Sequence, residues 1–105
     1  MAGESAAFDA LADGHRREIL AILRQGDRAV NEIADELPIS RPAVSRHLRL
    51  LKEAGFVDEE PVGTRRLYRL RAEGVDAVRR YLETIWGEAA TRFRLVAENV
   101  DDGNR

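Results

Sequence analysis

The sequence of 105 residues predicts a single small domain of the mainly α class (α+β), with about five helices and a two-stranded β-hairpin. Two observations predict this fold class. Apolar residues recur every three or four positions in five segments, which is the period of an amphipathic helix, and two short strand-like runs lie between the fourth and fifth segments. A chain of this length buries one modest core, so we assign residues 1–105 to one domain.

The first two predicted helices are short. Phe8, Ala10 and Leu11 indicate the first, and Asp13 is placed to cap a second helix that ends near Gln25. The residues at both ends, 1–4 and 101–105, are small, polar or charged, and we expect them to be disordered.

The segment from Ser40 to Gly55 predicts a helix with two chemically opposed faces. Ser40 can act as the N-cap, and Gly55 supplies the C-terminal stop. At 100° per residue, apolar residues collect on one side and cations with a hydroxyl on the other. The inward set is Ala43, Val44, His47, Leu48, Leu50 and Leu51, and the outward set is Arg41, Ser45, Arg46, Arg49 and Lys52.

A further helix over Val30 to Leu37 precedes this segment, and only Pro38 and Ile39 separate it from the Ser40 cap. Two helices joined by so tight a turn cross at a steep angle, which is the helix-turn-helix arrangement, with the second helix as the reader of DNA.

A hairpin follows the predicted reader helix. Phe56 to Pro61 and Arg66 to Leu70 predict two strands, joined by a tip of Val62, Gly63, Thr64 and Arg65. Helix, turn, helix and basic hairpin in this order indicate a winged helix-turn-helix, in which the hairpin is the wing.

Four segments of the sequence resemble the ArsR-type winged helix-turn-helix transcriptional regulators of prokaryotes. The segments are 11–20, 30–37, 40–57 and 63–70, and the resemblance extends from about Phe8 to the end of the last predicted helix. It implies a homodimeric, sequence-specific DNA-binding repressor with an inverted-repeat operator. Metal sensors of that family use cysteines on the helix before the reader, or Asp, His and Glu sets on the last helix. This chain resembles the members that lack the metal-sensing cysteines, since it contains no Cys.

The charge distribution favours a nucleic-acid partner at the predicted reading module. The chain has a formal net charge of −2. Residues 38–71 nevertheless hold eight Lys or Arg and four Asp or Glu, a net charge of +4, whereas residues 1–37 and 72–105 are acidic. We therefore expect the reader helix and the wing to contact double-stranded DNA. The candidate DNA-binding residues are Ser40, Arg41, Pro42, Ser45, Arg46, His47, Arg49, Thr64, Arg65 and Arg66.

The last predicted helix, over residues 75–100, is longer than one small domain can cover. We expect Val75 and Val78 to join the core of the chain, and the apolar stripe beyond them to form a two-fold dimer interface. The first helix is expected to pack alongside. The predicted interface residues are Phe8, Leu11, Leu82, Ile85, Trp86, Ala89, Phe93 and Val96.

Other chemistry finds little support in the sequence. We identify no catalytic residues, and Glu59 and Glu60 are interpreted as a solvated pair on a strand edge. His15 and His47 lie 32 residues apart, so we expect no metal site and no cofactor, and we assign His47 to packing or to phosphate contact. The absence of Cys, of a signal peptide and of a transmembrane run predicts a cytoplasmic protein with no membrane partner.

Two alternatives stay open at this stage. One is a metal-responsive regulator of the same family, and the other is a winged-helix module that binds a protein instead of DNA. The sequence does not identify an inducer, the operator or the regulated genes.

Overall fold

The computed structural model describes the backbone of residues 2–103 and the side chains of residues 4–89 and 92. Five helices and a three-stranded antiparallel sheet make up this part of the chain. The elements are α1 (Ala2–Ala12), α2 (Gly14–Leu23), β1 (Arg28–Ala29), α3 (Val30–Asp35), α4 (Arg41–Glu53), β2 (Val57–Val62), β3 (Arg65–Leu70) and α5 (Glu73–Gly103). The predicted winged helix-turn-helix, with five helices and a hairpin wing, is confirmed.

The ends of the chain differ from the prediction. Helix α1 already begins at Ala2, and α5 continues to Gly103, so the expectation of disorder is wrong for residues 2–4 and 101–103. Small residues dominate α1, and Ala7 and Ala10 are buried, which lets α1 pack closely along α5. Packing of this kind stabilises the start of α1, which composition alone leaves undecided.

Helices α2 and α4 begin at the predicted caps. Asp13 Oδ1 accepts a hydrogen bond from the Arg16 N–H at 3.1 Å, and Ser40 Oγ accepts one from the Ala43 N–H at 3.2 Å. Each side chain satisfies a donor that the first helical turn leaves without an intrahelical partner. These caps fix the residue at which each helix starts, and hence which residues face inward.

The core lies between α1, α2, α3, α4, the base of the hairpin and the start of α5. On α4, Val44, Leu48 and Leu51 are fully buried. Leu50, predicted to face inward, is 38% exposed, and that assignment is wrong. At 100° per residue, Leu50 lies more than 100° from the centre of the face that Val44, Leu48 and Leu51 share.

The wing is a tighter hairpin than predicted. Strands β2 and β3 pair from Val57 with Leu70 to Val62 with Arg65, so the connection consists of Gly63 and Thr64 alone. Gly63 has a φ of +64°, which a glycine adopts without strain at the first position of a two-residue hairpin turn. The short β1 pairs with β3 at Leu67 and Tyr68 and fastens the wing to the start of α3.

Two glycines set the junction between α4 and α5. The Gly74 N–H donates to the Gly55 carbonyl at 2.9 Å, and Gly55 has a φ of +84°. A Cβ on Gly74 would lie 2.8 Å from carbon atoms of the buried Phe56 ring. The start of α5 can therefore approach the end of α4 only because both positions lack a side chain.

Helix α5 projects away from this core. Its 31 residues span about 46 Å at 1.5 Å per residue. The radius of gyration is 18.4 Å, whereas a compact chain of this length has about 13 Å. The inward residues at its start are Gly74, Ala77 and Val78, while Val75 is 44% exposed, so the expected core position of Val75 is wrong. None of the helices in the described part of the chain combines the length and the hydropathy that a membrane span requires.

We expect Gly74→Ala to destabilise the protein by about 1–3 kcal/mol, because the added methyl group overlaps the Phe56 ring in a packed core. Gly14→Ala is the matched control, since the nearest atom to a Cβ there is 3.8 Å away at an exposed helix start. Urea unfolding of both variants measures the difference. Equal free energies of unfolding for Gly74→Ala and the parent chain would contradict this account of the junction.

Candidate DNA-binding surface

Helix α4 presents most of the predicted reading residues to solvent. Ser40, Arg41, Pro42, Ser45, Arg46 and Arg49 are all exposed, and His47 is half-buried at the inner edge of the helix. Because Val44, Leu48 and Leu51 are buried on the opposite side, the outer face cannot rotate away from solvent without opening the core. The helix is therefore held in one orientation.

The wing meets the start of α4 across a cleft of about 370 Å³. Arg41 comes from α4, Thr64 from the turn, and Arg65 and Arg66 from β3. Asn31, at the start of α3, lies in the same cleft and was missed by the sequence reasoning. An exposed Asn does not by itself indicate a binding site in a sequence. Asn31 lies beside the wing only because β1, just before it, pairs with β3.

The two wing arginines are paired with carboxylates. Arg65 Nη2 lies 2.5 Å from Glu32 Oε1, and Arg66 Nη1 lies 3.1 Å from Glu59 Oε1. Glu32 Oε1 also accepts the Ala29 N–H at 2.8 Å. The pKa of Glu32 lies below its ordinary value, mainly because of that hydrogen bond. Burial acts in the other direction, and the Arg65 and Arg28 cations lower the pKa further.

Glu59 links the wing to the reader helix. Its Oε1 accepts hydrogen bonds from Lys52 Nζ at 3.0 Å and from Arg66 at 3.1 Å. Hydrogen bonds from the Tyr68 hydroxyl and from Lys52 lower the pKa of Glu59. Burial, followed by the interaction with Glu59, raises the pKa of Tyr68 to about 12. The interpretation of Glu59 and Glu60 as a solvated pair is wrong for Glu59, which is only 18% exposed, whereas Glu60 is exposed and pairs with Arg69.

The arginines of α4 contrast with those of the wing. Within the described part of the chain, Arg41, Arg46 and Arg49 take part in no side-chain hydrogen bond and no ion pair. A cation without a carboxylate neighbour can bind a phosphate or a base edge directly, whereas Arg65 and Arg66 must first exchange a carboxylate for a phosphate. The surface thus contains two classes of arginine.

His47 packs against the start of α2. Its Nδ1 faces Arg16 Nη1 at 3.3 Å, and Arg16 is anchored by donating to the carbonyls of Ala10 and Asp9. Burial is the main cause that lowers the pKa of His47 and favours its neutral form, while the negative charge of Asp13 acts to raise that pKa. His15 lies beside it, with ring centroids 5.9 Å apart. The fold thus brings together two histidines that the sequence reasoning had treated as separate.

The predicted dimer residues form an exposed stripe on α5. Ile85 is 52% and Trp86 is 53% exposed, and Leu82 and Ala89 are also exposed. Phe8 on α1 packs edge-on against Tyr81, with ring centroids 5.1 Å apart, and Leu11 packs against the core. The side chains of Phe93 and Val96 lie outside the described residues.

The ion pair between Glu32 and Arg65 predicts that Glu32→Gln raises affinity for DNA, because Arg65 no longer has to leave a carboxylate. The Gln amide oxygen can still accept the Ala29 N–H, so the start of α3 is kept. Glu18→Gln on α2 changes net charge equally at an exposed site. Binding of both variants to one duplex at equal salt separates local release from net charge, and an equal gain in both would contradict the local account.

Comparisons with known proteins agree with this geometry. The family model described as "Bacterial regulatory protein, arsR family" matches residues 13–59, from the start of α2 to the first half of β2. The HTH-type transcriptional regulator Rv2034 of Mycobacterium tuberculosis is 46% identical over 96 residues, which are 91% of this chain and 90% of that protein.

Two further proteins are similar. The HTH-type transcriptional repressor SmtB of M. tuberculosis is 46% identical over 61 residues, which cover 58% of this chain and 45% of that protein. The solution structure of Mb0332 from Mycobacterium bovis, a homodimeric winged helix-turn-helix DNA-binding domain, is 34% identical with a TM-score of 0.64 and covers 87% of this chain and 82% of that domain. With the matched segment, the near full-length relative and the winged fold in agreement, this chain belongs to the ArsR family of transcriptional regulators.

Proposed function

We propose that the chain is a homodimeric repressor that binds an inverted-repeat operator through α4 and the wing. The observation that carries the proposal is the exposed row of arginines on α4, which within the described residues have no carboxylate partner. The description of Mb0332 as a homodimeric DNA-binding domain and of SmtB as a repressor supports it.

The exposed face of α4 suits the major groove. An α-helix fits this groove, and its N-terminal half enters deepest in helix-turn-helix proteins. Arg46, in the middle of the exposed face, is the candidate for a bidentate contact with guanine O6 and N7. Ser40, Pro42 and Ser45 place small groups at the groove entrance, so the backbone of α4 can approach the DNA closely.

The wing suits the phosphate backbone or the minor groove. Arg65, Arg66 and Thr64 lie on the opposite side of the cleft from Arg41. Both side chains of the Arg65–Glu32 pair are exposed, and an ion pair of this kind contributes about 0–1 kcal/mol. Arg66 is also exposed, and the more covered Glu59 keeps its ion pair with Lys52 when Arg66 leaves it. Phosphates can therefore replace these carboxylates at small cost, and the wing strengthens binding without reading sequence.

The exposed stripe on α5 supplies the dimer contact. Leu82, Ile85, Trp86 and Ala89 recur at spacings of one, three and four residues on one face of the helix. Burying such a face against its two-fold copy removes large apolar side chains from water. The dimer sets the distance between two copies of α4, so the half-sites should lie about 10 base pairs, or a multiple of one helical turn, apart.

Occupying an operator that overlaps a promoter excludes RNA polymerase, and the regulated promoter includes the protein's own. A regulator that acts in this way works on the chromosome in the cytoplasm of a prokaryote. A winged-helix module for protein binding would need an apolar outer face. Along α4, all of whose side chains the structure describes, Leu50 is the one large apolar side chain that is exposed.

Arg46→Ala and Arg65→Ala separate base reading from phosphate binding. Arg46→Ala should weaken binding to the operator by about 1–3 kcal/mol and binding to random DNA by much less, because it removes a hydrogen-bonding partner of a base. Arg65→Ala should weaken both similarly and reduce the salt slope by about one for each phosphate that the variant no longer neutralises.

The operator is first recovered by selecting genomic fragments that the protein binds, and each variant is then titrated against operator and scrambled duplexes at several salt concentrations. Unchanged affinity in both variants would remove α4 and the wing from the DNA surface.

Ile85→Glu should dissociate the dimer, because the interface would bury a carboxylate without a partner. Thr84→Glu introduces the same group about 150° from the centre of the stripe and should leave the dimer intact. Sedimentation at micromolar concentration, together with operator titration, measures both effects. A wild-type monomer with full operator affinity would contradict the proposed assembly.

A further inference from the structure

Three side chains with metal-binding chemistry meet where α2 begins and α4 passes beneath it. Asp13 and His15 come from the start of α2, and His47 comes from the middle of α4. One ligand atom of each lies within 4.8 Å of the other two. The three side chains are partly buried, and the two imidazole rings lie 5.9 Å apart between centroids.

This donor set suits a divalent transition metal. Two imidazoles and a carboxylate are the three protein ligands of many zinc sites in which water is the fourth ligand. Ligand atoms about 2.0–2.1 Å from a tetrahedral zinc lie about 3.3 Å from one another, so small side-chain rotations bring the three groups into range. Mg²⁺ and Ca²⁺ prefer oxygen ligands, so a site with two imidazole nitrogens is unfavourable for binding either of them.

The local hydrogen bonds leave these ligand positions accessible. Asp13 Oδ1 accepts the Arg16 N–H, and its second oxygen can face a metal. The hydrogen bond between Arg16 Nη1 and His47 Nδ1 is long, at 3.3 Å. When it breaks, the same guanidinium keeps its two carbonyl partners on α1. A metal therefore replaces one weak hydrogen bond.

Three positive groups oppose a cation here, namely the Arg16 and Arg46 guanidinium groups and the positive N-terminal end of the α2 dipole. The Asp13 charge and the two imidazoles have to outweigh them. The affinity should consequently be lower than that of a closed site with four protein ligands.

We propose that Asp13, His15 and His47 form a binding site for a divalent transition metal such as Zn²⁺. The metal would join the start of α2 to the reader helix α4 within one chain. Metal binding at this position goes beyond the proposed function and does not depend on DNA binding. It also replaces the sequence-based expectation of no metal site, because the fold brings together two histidines that lie 32 positions apart in the sequence.

The test uses the full chain, freed of metal with a chelator and titrated with Co²⁺ at neutral pH. Four-coordinate Co²⁺ gives a strong visible ligand-field spectrum, which should saturate at one metal per chain and be abolished by Zn²⁺. His15→Gln and His47→Gln should each weaken binding by about tenfold or more. Glu18→Gln, one turn further along α2 and outside the cluster, is the matched control and should bind as the parent chain does.

Thermal unfolding provides a second measurement, because a ligand that binds only the folded chain raises the midpoint. Zn²⁺ should raise it in the parent chain and in Glu18→Gln but not in His15→Gln, a variant that leaves the reader helix intact. A titration without saturation, or equal Co²⁺ affinity in the parent chain and both histidine variants, would overturn the proposal.

Discussion

The burial of one face of α4 is the interaction on which the rest of this structure depends. Val44, Leu48 and Leu51 have no exposed surface, and each such side chain contributes about 1.5–3 kcal/mol when it is removed from water. The Ser40 cap fixes where the helix starts, so burial of this face also fixes the direction of Arg46 and Arg49. Stability and the presentation of cations are therefore two results of one helix register.

The wing follows a different physical principle. Its strands are paired by backbone hydrogen bonds and tied down by β1, while its arginines are paired with Glu32 and Glu59. Those carboxylates hold the guanidinium groups in ion pairs, and the Arg65–Glu32 pair, which is exposed on both sides, contributes little to stability. In the proposed complex, the arginines of α4 would read sequence and those of the wing would bind phosphates, so neighbouring parts of one surface would supply specificity and affinity.

Local signals in the sequence predicted most of the fold. Asp13, Ser40 and Gly55 act within a few residues, and their effects on helix ends do not depend on distant packing. The two-residue strand β1 could not be predicted, because it exists only through its pairing with β3. Leu50 and Val75 were misplaced because their apolar character was given more weight than their angle: at 100° per residue each lies more than 100° from the centre of the buried face of its helix. The side-chain contacts of the site could not be predicted from the sequence. Arg65 and Glu32 are 33 positions apart, and His15 lies near His47 only because α2 packs against α4.

The two faces of α5 explain why a small domain carries so long a helix. Gly74 and Ala77 allow the start of α5 to lie against Phe56 and the end of α4, which fixes the direction of the helix relative to the reader. Ile85 and Trp86 lie farther along, beyond the region that the single core covers. In the proposed dimer, a helix anchored next to α4 and carrying Ile85 and Trp86 farther along would transmit the geometry of the dimer contact to the reading surface. The spacing of two half-sites would then be set by the close approach permitted at Gly74, although that residue lies outside both the predicted DNA surface and the predicted dimer stripe.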